Sequence, residues 1–211
     1  MSTKSVLVNA LTFSRAPLIL AWLGLAIAQE YRGGFLCGAL ACLAMLLSGL
    51  TDLWDGQLAR RWHVVSPLGK MADPLMDKVF YIIVFPTFIW LIAHRGGSEA
   101  HGSVMLAFTI LYLLRDTWVT FMRAVGSMFK ANCAAMWLGK VRTALSFPGA
   151  GWIYLYLAFH DHVPASCASA WLVSCYVVEA ILIVLTLVSL WTYTAAYLPY
   201  LKKALANQNE I

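Results

Sequence analysis

The chain has 211 residues, of which 61% are apolar or aromatic and 12% charged, and it carries a net charge of +5. Soluble domains average roughly 45–50% apolar and about 25% charged residues, so a water-soluble globule of this size would lack the charges to cover its outside. These figures exclude a disordered chain, a collagen-like repeat and a disulfide-rich scaffold, and they point to an all-α integral membrane protein.

A bilayer core takes about 20 predominantly apolar residues per helix, and six stretches meet or approach that length: 6–28, 35–58, 72–93, 104–127, 138–159 and 170–198. In the first, Lys4, the apolar run and Ala26-Ile27-Ala28 imitate a secretory leader. Asn9, Ser14 and Arg15 interrupt that run, and its removal would leave an odd number of spans, so it is read as a retained span. Short connections at Arg32-Gly33-Gly34, Arg95-Gly96-Gly97-Ser98 and Asp161-His162 to Pro164 predict antiparallel neighbours in a six-helix bundle.

Lys4, Arg60, Arg61, Lys70, Lys130, Lys140, Arg142, Lys202 and Lys203 fall on or near one side of this bundle, and only Arg32 and Arg95 fall on the other. By the positive-inside rule both termini are cytoplasmic. The basic residues sit between apolar runs and not in clusters, so no nucleic-acid partner is expected. Cys37, Cys42, Cys133, Cys167 and Cys175 show no CxxC pairing and read as small apolar residues of the core or the lipid face.

The end of the second span and the start of the third hold Asp52, Asp55, Asp73 and Asp77, four of the ten acidic residues in the chain. An aspartate at the centre of a membrane helix costs about 2.5–3.5 kcal/mol on insertion scales, so the group needs compensation. Arg60, Arg61, Lys70 and Lys78 are the cations nearest in sequence. The i, i+3 and i, i+4 spacings put each pair on one helix face. A loop of about a dozen residues then folds the two faces together in a cavity on the cytoplasmic side. Four hard oxygen donors without histidine or thiolate favour Mg²⁺ or Mn²⁺ over zinc. Two such ions bridged by carboxylates serve displacement at phosphorus. The competing reading is that the acids only stitch the helices together through Arg60, Arg61 and Lys78. Small residues, Gly56, Ala59 and Gly69, surround the acids and can serve helix packing or admit a base and a diphosphate.

The string Asp52-x2-Asp55-Gly56-x2-Ala59-Arg60-x8-Gly69-x3-Asp73-x3-Asp77 resembles the signature of the CDP-alcohol phosphotransferase family. Eight fixed positions at an average frequency of about 7% match by chance at of order 10⁻⁹ per window, which excludes coincidence. The resemblance implies a single membrane domain over residues 1–211, usually a homodimer, in the bacterial inner membrane with its active site facing the cytoplasm. Such an enzyme moves a phosphatidyl group from CDP-diacylglycerol to an alcohol and releases CMP. Carried over position by position, it makes Asp52, Asp55, Asp73 and Asp77 ligands of two divalent cations and Asp77 also the general base. Gly56, Ala59, Arg60 and Gly69 then bind the nucleotide and diphosphate, with Ser66 a further candidate.

The fourth and fifth spans carry Arg115, Arg123, Lys140 and Arg142. An arginine inside a membrane normally faces a cavity or a partner. Two readings stand side by side: an ion pair of Arg115 or Arg123 with Asp116, or a basic pocket that grips an acceptor phosphate in guanidinium forks. The segments from Arg115 to Arg123 and from Trp137 to Thr143 resemble the branch of the family that makes phosphatidylglycerophosphate. So does the opening Asn9-Ala10-Leu11-Thr12-Phe13-Ser14-Arg15, which makes sn-glycerol 3-phosphate the leading acceptor, ahead of serine or inositol phosphate. His160 and His162 read as loop residues, and Trp152, Tyr154, Tyr156, Trp171, Trp191, Tyr193, Tyr197 and Tyr200 as an interfacial belt. An ion-coupled transporter would show repeated halves, and the second half has no counterpart of the four acids.

Overall fold

A computed structural model describes residues 3–64, 66–95, 98–131 and 137–207. Gly96, Gly97 and Cys133 lie outside the described residues, as does the side chain of Lys70. The described residues form six α-helices: α1 (Thr3–Arg32), α2 (Phe35–Arg61), α3 (Pro67–His94), α4 (Glu99–Met128), α5 (Trp137–Phe159) and α6 (Ala165–Asn207), with a 3₁₀ turn at His160–His162. Every helix outruns its predicted span. Hydropathy falls at the first charged residue, whereas backbone hydrogen bonding continues until a glycine, a proline or a loop stops it.

Five of the helices are long and apolar enough to cross a membrane. The sixth, α5, is shorter, at 23 residues. It also opens with Gly139, Lys140, Arg142 and Thr143 and continues through Ser146, Pro148 and Gly149, which lowers its apolar content.

Two turns position the chemistry. Gly33 and Gly34 take φ of 68° and 107°, a region that side chains rarely enter, and reverse the chain from α1 into α2. The second turn is tighter than the predicted dozen residues, because α2 runs on to Arg61 and α3 starts at Pro67. Ser66 caps α3 by accepting from Gly69 N at 2.9 Å, and Pro67 fills the first helical position, where its missing N–H is no loss. The C-terminal end of α2 therefore faces the N-terminal end of α3.

The core draws on all six helices and is rich in aromatic residues from α1, α3, α4 and α5. Trp22 meets Tyr154 edge-on at 5.2 Å, and Phe85 meets Phe108 and Tyr112 at 4.9 and 5.0 Å. Offset and edge-to-face pairs of this kind are worth roughly 0.5–1.5 kcal/mol each beyond their area. A second cluster, Val119, Met122, Tyr193 and Tyr197, ties α4 to the later part of α6. Leu20, Leu36, Leu46, Val184 and Trp191 are exposed, as lipid-facing residues must be.

Several polar groups at the opposite end from the acids find partners inside the bundle. Arg95 donates to Glu30 Oε2 at 2.6 Å and to the Leu157 carbonyl, and Gln29 donates to the Ala158 carbonyl at 2.9 Å. His101 and the fully buried Glu179 share a hydrogen bond of 2.9 Å between α4 and α6. Among the described residues, Cys37, Cys42, Cys167 and Cys175 are free thiols. His160 hydrogen-bonds the Tyr156 carbonyl and His162 packs on Phe35 and Phe159.

Candidate functional site

The four aspartates converge, and the group that gathers them is Arg15 of α1. Its Nη2 lies 2.7 Å from Asp52, 2.9 Å from Asp55 and 3.5 Å from Asp73, and its Nη1 lies 3.2 Å from Asp77. The oxygens of Asp52 and Asp55 thus stand within about 6 Å of each other. Thr12, one turn before Arg15, donates to the same Asp55 Oδ2 at 2.7 Å. Asp55 is 3% exposed and forms the floor of the group, whereas Asp52, Asp73 and Asp77 remain nearly half exposed.

This arrangement corrects the expected source of compensating charge. Arg60 and Arg61 sit exposed at the end of α2, outside the ion pairs seen among the described residues. Lys78 donates to Thr120 Oγ1 at 3.0 Å on α4. Arg15 is missing from the site residues expected from sequence. The available signal was its presence in the middle of an apolar run, where an unpaired guanidinium is costly.

Among the described residues, no three carboxylate, thiolate or imidazole groups are gathered closely enough to cage an ion. The aspartates instead fan out around a guanidinium. Their chemistry nonetheless fits a hard dication, since all four supply anionic oxygen and three face open space.

That space is a cavity of about 1130 Å³. Asp52, Asp73 and Asp77 line one part of it, and Arg115, Arg123, Lys140 and Arg142 line another. A third part is apolar, with Leu46, Leu53 and Trp152 both lining the cavity and exposed on the outside of the bundle. The candidates expected to bind nucleotide, Gly56, Ala59, Arg60, Ser66 and Gly69, do not line the cavity. They sit beside the acids along the end of α2 and the start of α3. Ser66 is engaged as the α3 cap and also donates to Asn9 Oδ1 at 3.1 Å. A Cβ built on Gly56 would meet only the tips of Arg60, at 3.7 Å or more, so that guanidinium covers an otherwise open surface next to Asp55.

The basic wall is pre-arranged. Arg115 Nη1 donates to Asp116 Oδ1 at 2.9 Å, and Arg142 Nη2 donates to the same oxygen from α5. Arg115 also donates to Ser189 Oγ of α6. Arg142 lies 4.0 Å over the ring of Tyr112 and Arg115 lies 5.1 Å over Tyr193, both within cation–π range. Gly139 allows this approach, because a Cβ there would come within 3.0 Å of Tyr193 Oη and 3.3 Å of Arg115 Nη2. The expected Arg115–Asp116 pair is therefore present, with Arg142 as an unexpected third member. Buried Nε of both arginines and Nη1 of Arg142 have no hydrogen-bond partner. One carboxylate against two guanidinium groups leaves net positive charge in the wall of the cavity.

The profile of the CDP-alcohol phosphatidyltransferase family matches residues 5–191. A CDP-diacylglycerol–glycerol-3-phosphate 3-phosphatidyltransferase of Mycoplasma genitalium is 35% identical over 56% of this chain and 42% of its own length. One of the same name from Rickettsia felis is 28% identical over 70% of this chain and 79% of its own length. A cardiolipin synthase (CMP-forming) of Streptomyces coelicolor is 34% identical over 39% of this chain and 38% of its own length. Except for the Rickettsia protein, the chain spans about half or less of these relatives.

Proposed function

Because the chain belongs to the CDP-alcohol phosphatidyltransferase family, we propose that it transfers the phosphatidyl group of CDP-diacylglycerol to sn-glycerol 3-phosphate. The products are phosphatidylglycerophosphate and CMP, a step of phospholipid synthesis. One observation carries this reading: three of the four aspartates and all four expected cations open onto the same cavity. A diphosphate donor and a phosphorylated acceptor need opposite charges at neighbouring places, and the cavity walls supply them.

The family is generally dependent on divalent metal, and Asp52, Asp55, Asp73 and Asp77 are the residues that would hold two Mg²⁺ or Mn²⁺ ions. Bound there, such ions neutralise the diphosphate and stabilise the departing CMP. Asp77 accepts the proton of the acceptor hydroxyl as its oxygen attacks the lipid-linked phosphorus. The bond from that phosphorus to the CMP oxygen breaks, and CMP leaves with the electron pair. Arg115, Arg123, Lys140 and Arg142 hold the acceptor phosphate and so aim its hydroxyl, which is where most of the acceleration arises. Arg60, Gly56, Ala59, Gly69 and Ser66 bind the cytidine and diphosphate, supported by the Arg60 guanidinium lying over Gly56 next to Asp55. The apolar wall that opens at Leu46, Leu53 and Trp152 takes the acyl chains.

In this reading all six helices span the bacterial inner membrane. Both termini and the cavity face the cytoplasm, by the distribution of Lys and Arg, and the family resemblance supports a homodimer. The relative named cardiolipin synthase supports a second reading, in which the acceptor is a different alcohol of the same family. The concentration of cations on the cavity wall favours the phosphorylated one. Purified protein given CDP-diacylglycerol and radiolabelled acceptors decides between them. Incorporation of glycerol 3-phosphate with release of CMP supports the proposal, and incorporation only of another alcohol overturns it.

A further inference from the structure

We infer that Arg15 is a built-in counter-cation, which holds the four carboxylates together in the absence of dications and yields its central place when dications bind. The inference rests on the metal-binding role proposed above.

Three features of the geometry support it. Nη2 has two hydrogens but faces three carboxylate oxygens at 2.7, 2.9 and 3.5 Å. It is therefore held by charge more than by matched hydrogen bonds, and such contacts exchange readily. Second, Asp55 is bound twice, by Arg15 and by Thr12 at 2.7 Å, whereas among the described residues Arg15 is the one donor to Asp52, Asp73 and Asp77. Asp55 can stay fixed to α1 while the other three change partner. Third, Arg15 itself lines the cavity, so its guanidinium has space to withdraw into, and its buried Nε has no partner to hold it back. Four carboxylates around one guanidinium keep an excess of negative charge, which a dication relieves and Arg15 opposes. Arg15 is thus a positioning residue that sets both the order of the acids and the strength of ion binding.

The test measures Mn²⁺ binding by the paramagnetic resonance of free ion, and thermal unfolding, on the full chain purified in detergent. Arg15→Met should bind Mn²⁺ at least about fivefold more tightly than wild type. It should also melt lower than wild type in chelator and show a larger rise in Tm on adding Mn²⁺. Arg15→Lys, which keeps the charge, should fall between the two. Equal or weaker Mn²⁺ binding by Arg15→Met overturns the inference, as does failure of that variant to fold in saturating Mn²⁺. Either result would make Arg15 a support of the ion-bound state. Absence of Mn²⁺ binding by the wild type would instead remove the metal reading itself.

Discussion

Asp116 and Arg142 pair across the α4–α5 boundary on a carboxylate oxygen that Arg115 also uses. One acid thus sets the spacing of two guanidinium groups on different helices. Asp116→Asn keeps the size and removes the charge. We expect the KM for glycerol 3-phosphate to rise roughly tenfold, about 1.4 kcal/mol of binding, with less than a twofold change for CDP-diacylglycerol. Steady-state kinetics with each substrate varied in turn checks this, and equal changes in both constants would count against the basic pocket.

Asp77→Asn should reduce kcat by at least about a thousandfold, within the range for loss of a general base, while CDP-lipid binding stays measurable. Single-turnover assays with labelled acceptor and equilibrium binding of the nucleotide lipid separate the two effects. Wild-type turnover by this variant would refute the assigned role.

Arg123, also on the cavity wall, gives an independent probe of the acceptor side. Arg123→Ala should raise the KM for the phosphorylated acceptor more than that for the lipid donor. The difference should shrink for an acceptor alcohol without phosphate, because the lost contact is to that group.

Gly49 of α2 faces Phe147 of α5 so closely that a Cβ would stand 3.0 Å from Cε2 of the ring and nearer still to Cζ. Gly49→Leu should therefore destabilise the protein by about 1–3 kcal/mol, as overpacking does. The loss should be partly recovered in the double variant with Phe147→Ala, giving a non-additive cycle. Thermal unfolding of the four proteins measures it.

Exhaustive chelation should abolish turnover and lower Tm, and Mg²⁺ or Mn²⁺ should restore both. Undiminished turnover after chelation would remove the two-ion proposal.

Much of the site was legible because helical spacing is a local property. The separations between Asp52 and Asp55 and between Asp73 and Asp77 fix a shared face without any knowledge of the fold. The four cations of the second half could be picked out because charge is rare in these spans. Arg15 could be read as an anomaly but not assigned, since nothing near it in the chain shows which helix its side chain will face. The partnership of Asp116 with Arg142 was hidden for the same reason, being a contact between helices. Ser66 shows the opposite limit: it was a candidate from its place in the loop between the fixed positions of the signature, and the structure adds that it caps α3. Helix ends were underestimated wherever a polar residue, such as Gln29 or Glu30, finds its partner inside the bundle.

The long α6, with 43 residues, extends about 65 Å, well beyond the roughly 40–45 Å of a bilayer with its headgroups. Its later half carries Ser189 and Tyr193 on the charged side of the cavity, whereas Leu46 and Leu53 open the other side on the flank of the bundle. For the proposed substrates this creates two supply lines of different dimensionality. One reactant arrives by free diffusion in a volume, the other by sliding within a sheet, so the rate follows bulk molarity for the first and surface mole fraction for the second. Added host lipid at constant total donor lowers that mole fraction and should slow the proposed turnover.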